Sequence, residues 1–383
     1  NGGFIDGNTA DGVRLTLAEE FSHLYVYNLR GNQRTAGELS RREGGKVFDS
    51  GSRATVAVTF LVKDPAHEGP AVLHYRDIGD YLSREDKLRI VEESQIDTLE
   101  WETITPNAQG DWINQRDPNY ESWQPIGGKD TPDGIFRFRT NGLKTNRDAW
   151  VYSYSLPQLV GRMTTMVEYY NQQAKQGTLP DTLDPTKFSW NRADKANVKR
   201  RRTYDLNMGR LYKSTYRPFV KQHVYFDRQM NDMVYGLYDC FPTPGHDNIG
   251  FYLTGVSSHY DFGALIVDTV PNLHVLDTGQ FFPRWTWEPV GDRHAAEAGM
   301  LDLSGGEDTE ESGGAVGQEG EVLGGYCRVD NITDATLRSY QAAYGPEVTK
   351  DDVFYYVYAL LHSPDYRTRY GADLKKSLPH IPL

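Results

Sequence analysis

The residues of this chain whose types and spacing suggest chemistry lie between Arg192 and Arg228. Arg192, Lys195, Lys199, Arg200, Arg201, Arg202, Arg210, Lys213, Arg217, Lys221 and Arg228 are opposed there only by Asp194, Asp205 and Asp227. Eleven cations less three carboxylates leave +8, inside a chain whose formal net charge is −12. Segregation on this scale fits a face built for a polyanion, and contact with a phosphate backbone is the sharper reading. A solvated helix face fits the charge pattern equally well. Trp190, Tyr204, Tyr212, Tyr216, Phe219, Tyr225 and Phe226 thread through the run, so it borders a folded sheet and is not a loose tail.

Two further signatures are polar. Thr140 to Asp148 is a turn-rich run in which Lys144 and Arg147 stand beside Asn141 and Asn146. Arg and Asn make bidentate contacts with base edges, and either can hold a phosphate; a capped loop that only packs is the alternative. Tyr216-Arg217-Pro218-Phe219 fixes a cation beside aromatics, or is a rigid strand-entry turn with a stacked Arg. The segment Phe281 to Trp287 reads as an exposed aromatic loop or as core, with core favoured.

Self-sufficient catalysis has no signature. His259 with Asp261, and His246 with Asp247, could pair, but the ten histidines show no metal-ligand spacing. A GxSxG nucleophile elbow, a GxxxxGK[ST] phosphate loop and a GxGxxG fingerprint are all missing from the sequence. Cys240 and Cys327 are the two cysteines, which excludes a disulfide framework or a cysteine-rich zinc site and fits a reducing, cytoplasmic setting. No apolar run approaches the ~18 residues of a membrane span.

A length of 383 residues predicts two or three domains. The opening Asn1-Gly-Gly-Phe-Ile-Asp-Gly has no Met and reads as the end of a strand or its loop, so a fragment of a longer polypeptide is expected. Val13, Leu17 and Phe21 recur at helical spacing behind Asp11, a candidate N-cap. Residues 23–29 and 54–62 read as strands, the second apolar nearly throughout, as expected of a strand covered on both faces. The loop between them, with Arg30, Arg34, Arg41, Arg42, Lys46 and Arg53 in or beside it, is long enough to be functional or mobile.

A short strand and a helix capped by Ser83 follow, then a loop-rich stretch to residue 140. Residues 158–175 form an amphipathic helix with Leu159, Met163, Met166 and Tyr170 on one stripe. Short strands are expected at VKQHVYF, GFYLTG, ALIVDTV and LHVLD between 220 and 290. Residues 302–325, acidic and Gly-rich, read as disordered or as a mobile loop. Helices return behind Thr333, over 351–363 and over 365–376.

Long segments of this sequence carry a family resemblance. NGGFIDGNTADGVRLTLAEEF, YVYNLRGNQRT, GELSRREGGKVF and GSRATVAVTFLVK resemble the tail of the amino-methyltransferase domain of type ISP restriction–modification enzymes. TNGLKTNRDAWVY, YRPFVKQHVYFD and the ending DDVFYYVYALLHSPDYRTRYGADLKKSLPHIP resemble their target-recognition region. The resemblance runs along essentially the whole chain. It implies a parent in which a nuclease, an ATP-driven helicase-like translocase, a methyltransferase and a recognition domain share one polypeptide. The methyltransferase's glycine motif and its Asn-Pro-Pro-aromatic motif do not occur here, so no catalytic residue and no S-adenosylmethionine ligand is carried over; S-adenosylmethionine, ATP and Mg are implied for the parent alone.

The expected fold is mixed α+β: a truncated α/β methyltransferase tail (1–64), a connector (65–100), a DNA target-recognition domain (101–330) with a mobile acidic loop at 302–325, and a helical C-terminal segment (331–383). The expected function is sequence-specific recognition of double-stranded DNA, in a parent that methylates adenine and restricts by ATP-driven translocation. Lys199, Arg200, Arg201, Arg202, Arg210, Lys213, Arg217 and Lys221 are expected on DNA phosphates. Lys144, Asn146 and Arg147 are expected close to DNA, at base edges. Upstream domains of the same polypeptide are the other expected partner, and a membrane is not expected. The alternative is an interaction or scaffold module whose basic face docks an acidic partner, residues 302–325 being one such surface.

Overall fold

A computed structural model describes residues 2–35, 37–49, 51–127, 131–256, 258, 260–290 and 321–383. They fall into two compact units: Asn1–Trp123 with Val256–Phe262 and Ser363–His380, and Gln124–Gly255 with Gly263–His362 and Ile381–Leu383. Helices and strands are mixed throughout, as the α+β expectation holds. No helix among the described residues is long and apolar enough to cross a membrane.

In the first unit, helix α1 (Asp11–Glu20) precedes strand β1 (His23–Arg30), whose Leu24 and Val26 are buried. Helix α2 (Gly37–Glu43) lies in the long loop, and β2 (Val56–Val62), β3 (Val72–Asp77), α3 (Arg84–Glu93) and β4 (Glu102–Ile104) follow. The sheet order is β2-β1-β3-β4; β1 pairs antiparallel with β2 and parallel with β3. Residues 65–100 are therefore no connector. Their β3 is a central strand, and β4 pairs with it beyond the expected boundary at residue 100.

Three expectations fail here. The stripe on α1 turns Arg14 inward, not Val13, which is 51% exposed. The Arg14 guanidinium donates to the carbonyls of Gly110 (2.7 Å), Phe4 (2.8 Å) and Gly7 (3.0 Å), so a buried charge is satisfied from three directions. Asp11 is the first helical residue and not the cap. Strand β2 is an edge strand, with Phe60, Leu61 and Val62 exposed. An apolar run reports composition; a strand's place in the sheet decides which faces are covered. In the long loop, Arg41 and Arg42 pair with Glu38, while Arg30 pairs with Asp77 and Asp80.

The second unit contains β5 (Gln124–Pro125), β6 (Thr140–Asn141), α4 (Asp148–Val151), β7 (Tyr152–Ser153), α5 (Leu156–Gln176), α6 (Arg192–Lys199), β8 (Leu211–Arg217), β9 (Val220–Tyr225) and α7 (Leu237–Cys240). It continues through β10 (Gly250–Leu253), β11 (Ala264–Val267), β12 (Val270–Pro271), β13 (Gln280–Pro283), β14 (Trp285–Pro289), β15 (Val322–Leu323) and β16 (Tyr326–Asp330), then α8 (Asp334–Tyr344) and α9 (Lys350–Leu360). Its sheets run β11-β10-β13-β6, β12-β8-β9-β7 and β14-β16-β15.

The core of this unit is built on α5. Leu159, Met163, Met166 and Tyr170 are fully buried, Ser155 accepts from the Gln158 amide, and Gly177 ends the helix at φ 73°. Phe281 and Phe282 are core, as favoured. Residues 273–277 form no strand, although Leu273 and Val275 are buried. Of the expected acidic loop, residues 302–320 lie outside the described residues, and Val322–Leu323 form β15. The helical C-terminus divides: α8 and α9 belong to this unit, while two short helices, Pro364–Arg369 and Gly371–Lys376, belong to the first.

Candidate nucleic-acid interface

Helix α6 is short and carries several charges, so its start is held by a complete capping box: Asn191 accepts from the Asp194 amide, and Asp194 accepts from the Asn191 amide. Arg192, Lys195 and Lys199, at i, i+3 and i+7, form one stripe along it. Beyond the helix the chain turns through Arg201 at φ 56°, with the Arg202 amide donating 3.0 Å to the Asn197 carbonyl. Lys199, Arg200, Arg201 and Arg202 are exposed, and among the described residues they form no ion pair. Four cations left without local carboxylates retain their full attraction for an external anion.

Three hollows are lined by residues of this segment, the first of them by the stripe itself. The first, about 400 Å3, is lined by Trp190, Arg192, Lys195 and Lys199. The second, about 340 Å3, shares Asn191 with it and adds Arg202, Arg228 and Asp232. A third, about 570 Å3, shares Arg228 and Gln229 with the second and is lined by Arg210, Tyr238, Trp287 and Tyr326. The Arg210 and Arg228 guanidinium carbons each lie 5.1 Å from the Tyr238 ring centre, so the ring holds two cations in place. Joined by shared lining residues, the three form a groove of mixed charge: Asp194 and Asp232 stand among the cations of the second, and Asp205, Asp227 and Asp239 among those of the third.

Lys144 lines none of the hollows but is tied to the second through Asp232. Its Nζ lies 2.8 Å from Asp232 Oδ2, and its backbone bridges to Met233. Asn146 is exposed at φ 53°, a conformation Asn tolerates. Arg210 joins at the third hollow, 3.6 Å from Asp227.

Arg147 is a correction. Its guanidinium is 1% exposed and paired with Asp194, equally buried, so it presents nothing to a base edge. Lys213, Arg217 and Lys221 do not line the groove either. They lie along the β8–β9 hairpin, where Lys213 sits 3.5 Å from His223 and Lys221 lies 2.6 Å from Asp268. Arg217 lies 4.0 Å from the Tyr216 ring centre and donates 2.9 Å to Asn272 Oδ1. The rigid stacked turn, the blander reading, describes it.

Arg192, Lys195 and Arg228 line the groove without having been singled out from the run. The i, i+3, i+7 spacing on α6 was the available signal for the first two; nothing local marks Arg228. His246 is buried, with Nδ1 2.7 Å from Thr243 Oγ1 and Nε2 2.9 Å from the Leu323 carbonyl oxygen, so it ties its own turn to β15 instead of pairing with Asp247. His259 lies outside the described residues. Among the described residues no three His, Cys, Asp or Glu side chains converge to hold a metal ion.

A family model described as "Type ISP C-terminal specificity domain" matches residues 134–383. Similar solved structures include a nuclease-deletion mutant of the Type ISP restriction-modification enzyme LlaGI in complex with a DNA substrate mimic, 35% identical with a TM-score of 0.74. The ATP-dependent Type ISP restriction-modification enzyme LlaBIII bound to DNA is 31% identical with a TM-score of 0.76, and a DrdV–DNA complex is 28% identical with a TM-score of 0.75. Each covers 100% of this chain, which spans 33%, 24% and 35% of theirs respectively. None of the curated proteins matches the chain.

Proposed function

The chain belongs to the Type ISP C-terminal specificity domain family, and from that premise we propose that it is the DNA target-recognition part of a larger restriction–modification enzyme. The groove beside α6 takes the duplex backbone. Lys199, Arg200, Arg201, Arg202 and Arg210, with Arg192, Lys195 and Arg228, hold phosphates and set register; Lys144 and Asn146 lie nearest the bases. The observation that carries this reading is the exposed row Lys199–Arg202 in an acidic protein, without an ion pair among the described residues and with Lys199 and Arg202 lining adjacent hollows.

The solved neighbours of this chain are restriction–modification enzymes in DNA complexes, which supports duplex DNA as the ligand. In the whole enzyme, recognition directs methyl transfer to an adenine amino group, which requires the base to leave the stack. S-adenosylmethionine, and ATP with Mg for translocation, belong to that parent; no residue of this chain is assigned to either. The first unit, with the sheet β2-β1-β3-β4, supplies the end of the methyltransferase domain and faces upstream domains. Two buried thiols, Cys240 and Cys327, suit the reducing cytoplasm of such an enzyme.

Binding of the chain to a duplex across a salt series tests the reading. A steep linear fall of log K with log salt is expected. A flat line, or no binding at low salt, removes the phosphate-contact role.

A further inference from the structure

Phe219 is 90% exposed, the most exposed large apolar side chain of the described residues. It occupies the tip of the β8–β9 hairpin, where Arg217 pairs with Val220 across a two-residue turn of Pro218 and Phe219. Its φ is +61°, a left-handed conformation that a turn led by proline ordinarily gives to glycine. A bulky aromatic therefore sits on backbone that disfavours it, and gains almost no packing in return. For folding alone, glycine would serve better at 219. Strain of this kind with no internal benefit points to a task outside the fold.

The surroundings say which task. The hairpin is the centre of the sheet β12-β8-β9-β7, but the flanking pairs end at Thr215 and His223, so its tip projects as two strands alone, narrow enough for a DNA major groove, with Arg217 and Lys221 on it and Lys213 behind. The Lys221 pair with Asp268 is more than half exposed, and Arg217 is anchored through Asn272, so the tip is braced from behind. Tyr154, 73% exposed, follows β7, which pairs with β9 through Ser153 and His223. An exposed aromatic on a braced, cationic ribbon has the chemistry of a wedge between base pairs, where its ring replaces a base's stacking partner.

We propose that Phe219 inserts into the base stack of bound duplex DNA and opens one base step. The inference rests on the DNA-recognition reading. It is separable from that reading, because groove phosphates and wedge leave different signatures: the first sets the salt slope, the second the local stacking.

The experiment uses the 383-residue chain. Duplexes are selected from a randomised pool, and 2-aminopurine is placed in turn at each step of the enriched sequence. Wild-type protein is expected to raise emission at one step. Phe219→Ala is expected to abolish that rise and weaken binding about tenfold with an unchanged salt slope, and Phe219→Trp to keep both. Phe219→Gly is expected to show the same binding loss with no fall in Tm. If Phe219→Ala retains emission and affinity, or if Phe219→Gly lowers Tm, the wedge is overturned and the residue is a structural or protein-contact feature. If no sequence is enriched and no salt-dependent binding occurs, the recognition reading falls and the wedge with it.

Discussion

Arg147 Nη2 donates a 2.5 Å hydrogen bond to Asp194 Oδ2, with each side chain 1% exposed. Asp194 also accepts from the Asn191 amide at 3.0 Å and from the Tyr204 hydroxyl at 2.7 Å. The Arg147 guanidinium carbon lies 5.2 Å from the centre of the Phe188 ring. One buried carboxylate thus joins the polar loop after β6 to the N-terminus of α6. The residue expected to read bases instead helps to orient the helix that offers its basic stripe to solvent.

Removing either partner strands a charge in the interior. Arg147→Met is expected to destabilise the second unit by about 3–5 kcal/mol, as losing one member of a buried pair does. Urea unfolding measures it. At temperatures where the variant stays folded, its sequence preference on DNA should match wild type; a relaxed preference would return Arg147 to the base-reading residues.

Replacing Lys199, Arg200, Arg201 and Arg202 together with Ala should lower the log K–log salt slope by about 3 to 4. Affinity is expected to fall equally for all duplex sequences, since phosphate contacts carry no base identity. Stability should move by no more than about 0.5 kcal/mol per site, because these side chains are exposed and unpaired. A loss confined to one sequence would contradict the positioning role.

Asp232 restrains Lys144 and adds negative charge at the groove wall. Asp232→Asn is expected to raise affinity roughly twofold to fivefold at low salt, the scale of an exposed pair. Lys144→Met should lower it. Titrations read by fluorescence anisotropy check both, and weaker binding by Asp232→Asn would place Lys144 outside the interface.

His223 gives a pH-dependent signal. Burial, first, and the neighbouring Lys213, second, depress its pKa below the ordinary 6.5. Above the ordinary imidazole range both folded and unfolded chains hold the ring neutral, and stability is unaffected. As pH falls through that range the unfolded chain binds the proton first, so stability declines until the folded-state pKa is passed. Lys213→Ala should raise the His223 pKa, part of the way only because burial remains. NMR titration of the ring measures this, and an unchanged value would show that Lys213 does not act on it.

Local patterns made much of the fold legible. The α5 stripe, the Ser83 and Thr333 caps and strand β1 depend on neighbours within a turn or two, and all form as expected. The family resemblance was legible too, because its segments are long. Strand β2 and Arg14 were not, since exposure of a strand edge and satisfaction of a buried guanidinium depend on residues far along the chain.

The candidate site divides in the same way. From its own residues the chain determined that cations concentrate between 192 and 228 and that no cofactor or nucleophile motif accompanies them; that α6 aligns three of them emerged with the structure. Only the tertiary structure decided which cations remain available. Arg147 and Lys221 each meet a carboxylate 47 residues away, and Lys144 meets Asp232, whereas Lys199 to Arg202 meet none among the described residues. Charge clustering is a sum over adjacent residues, but ion pairing requires chain segments to be brought within ~4 Å, and that is settled only when the sheets and helices pack.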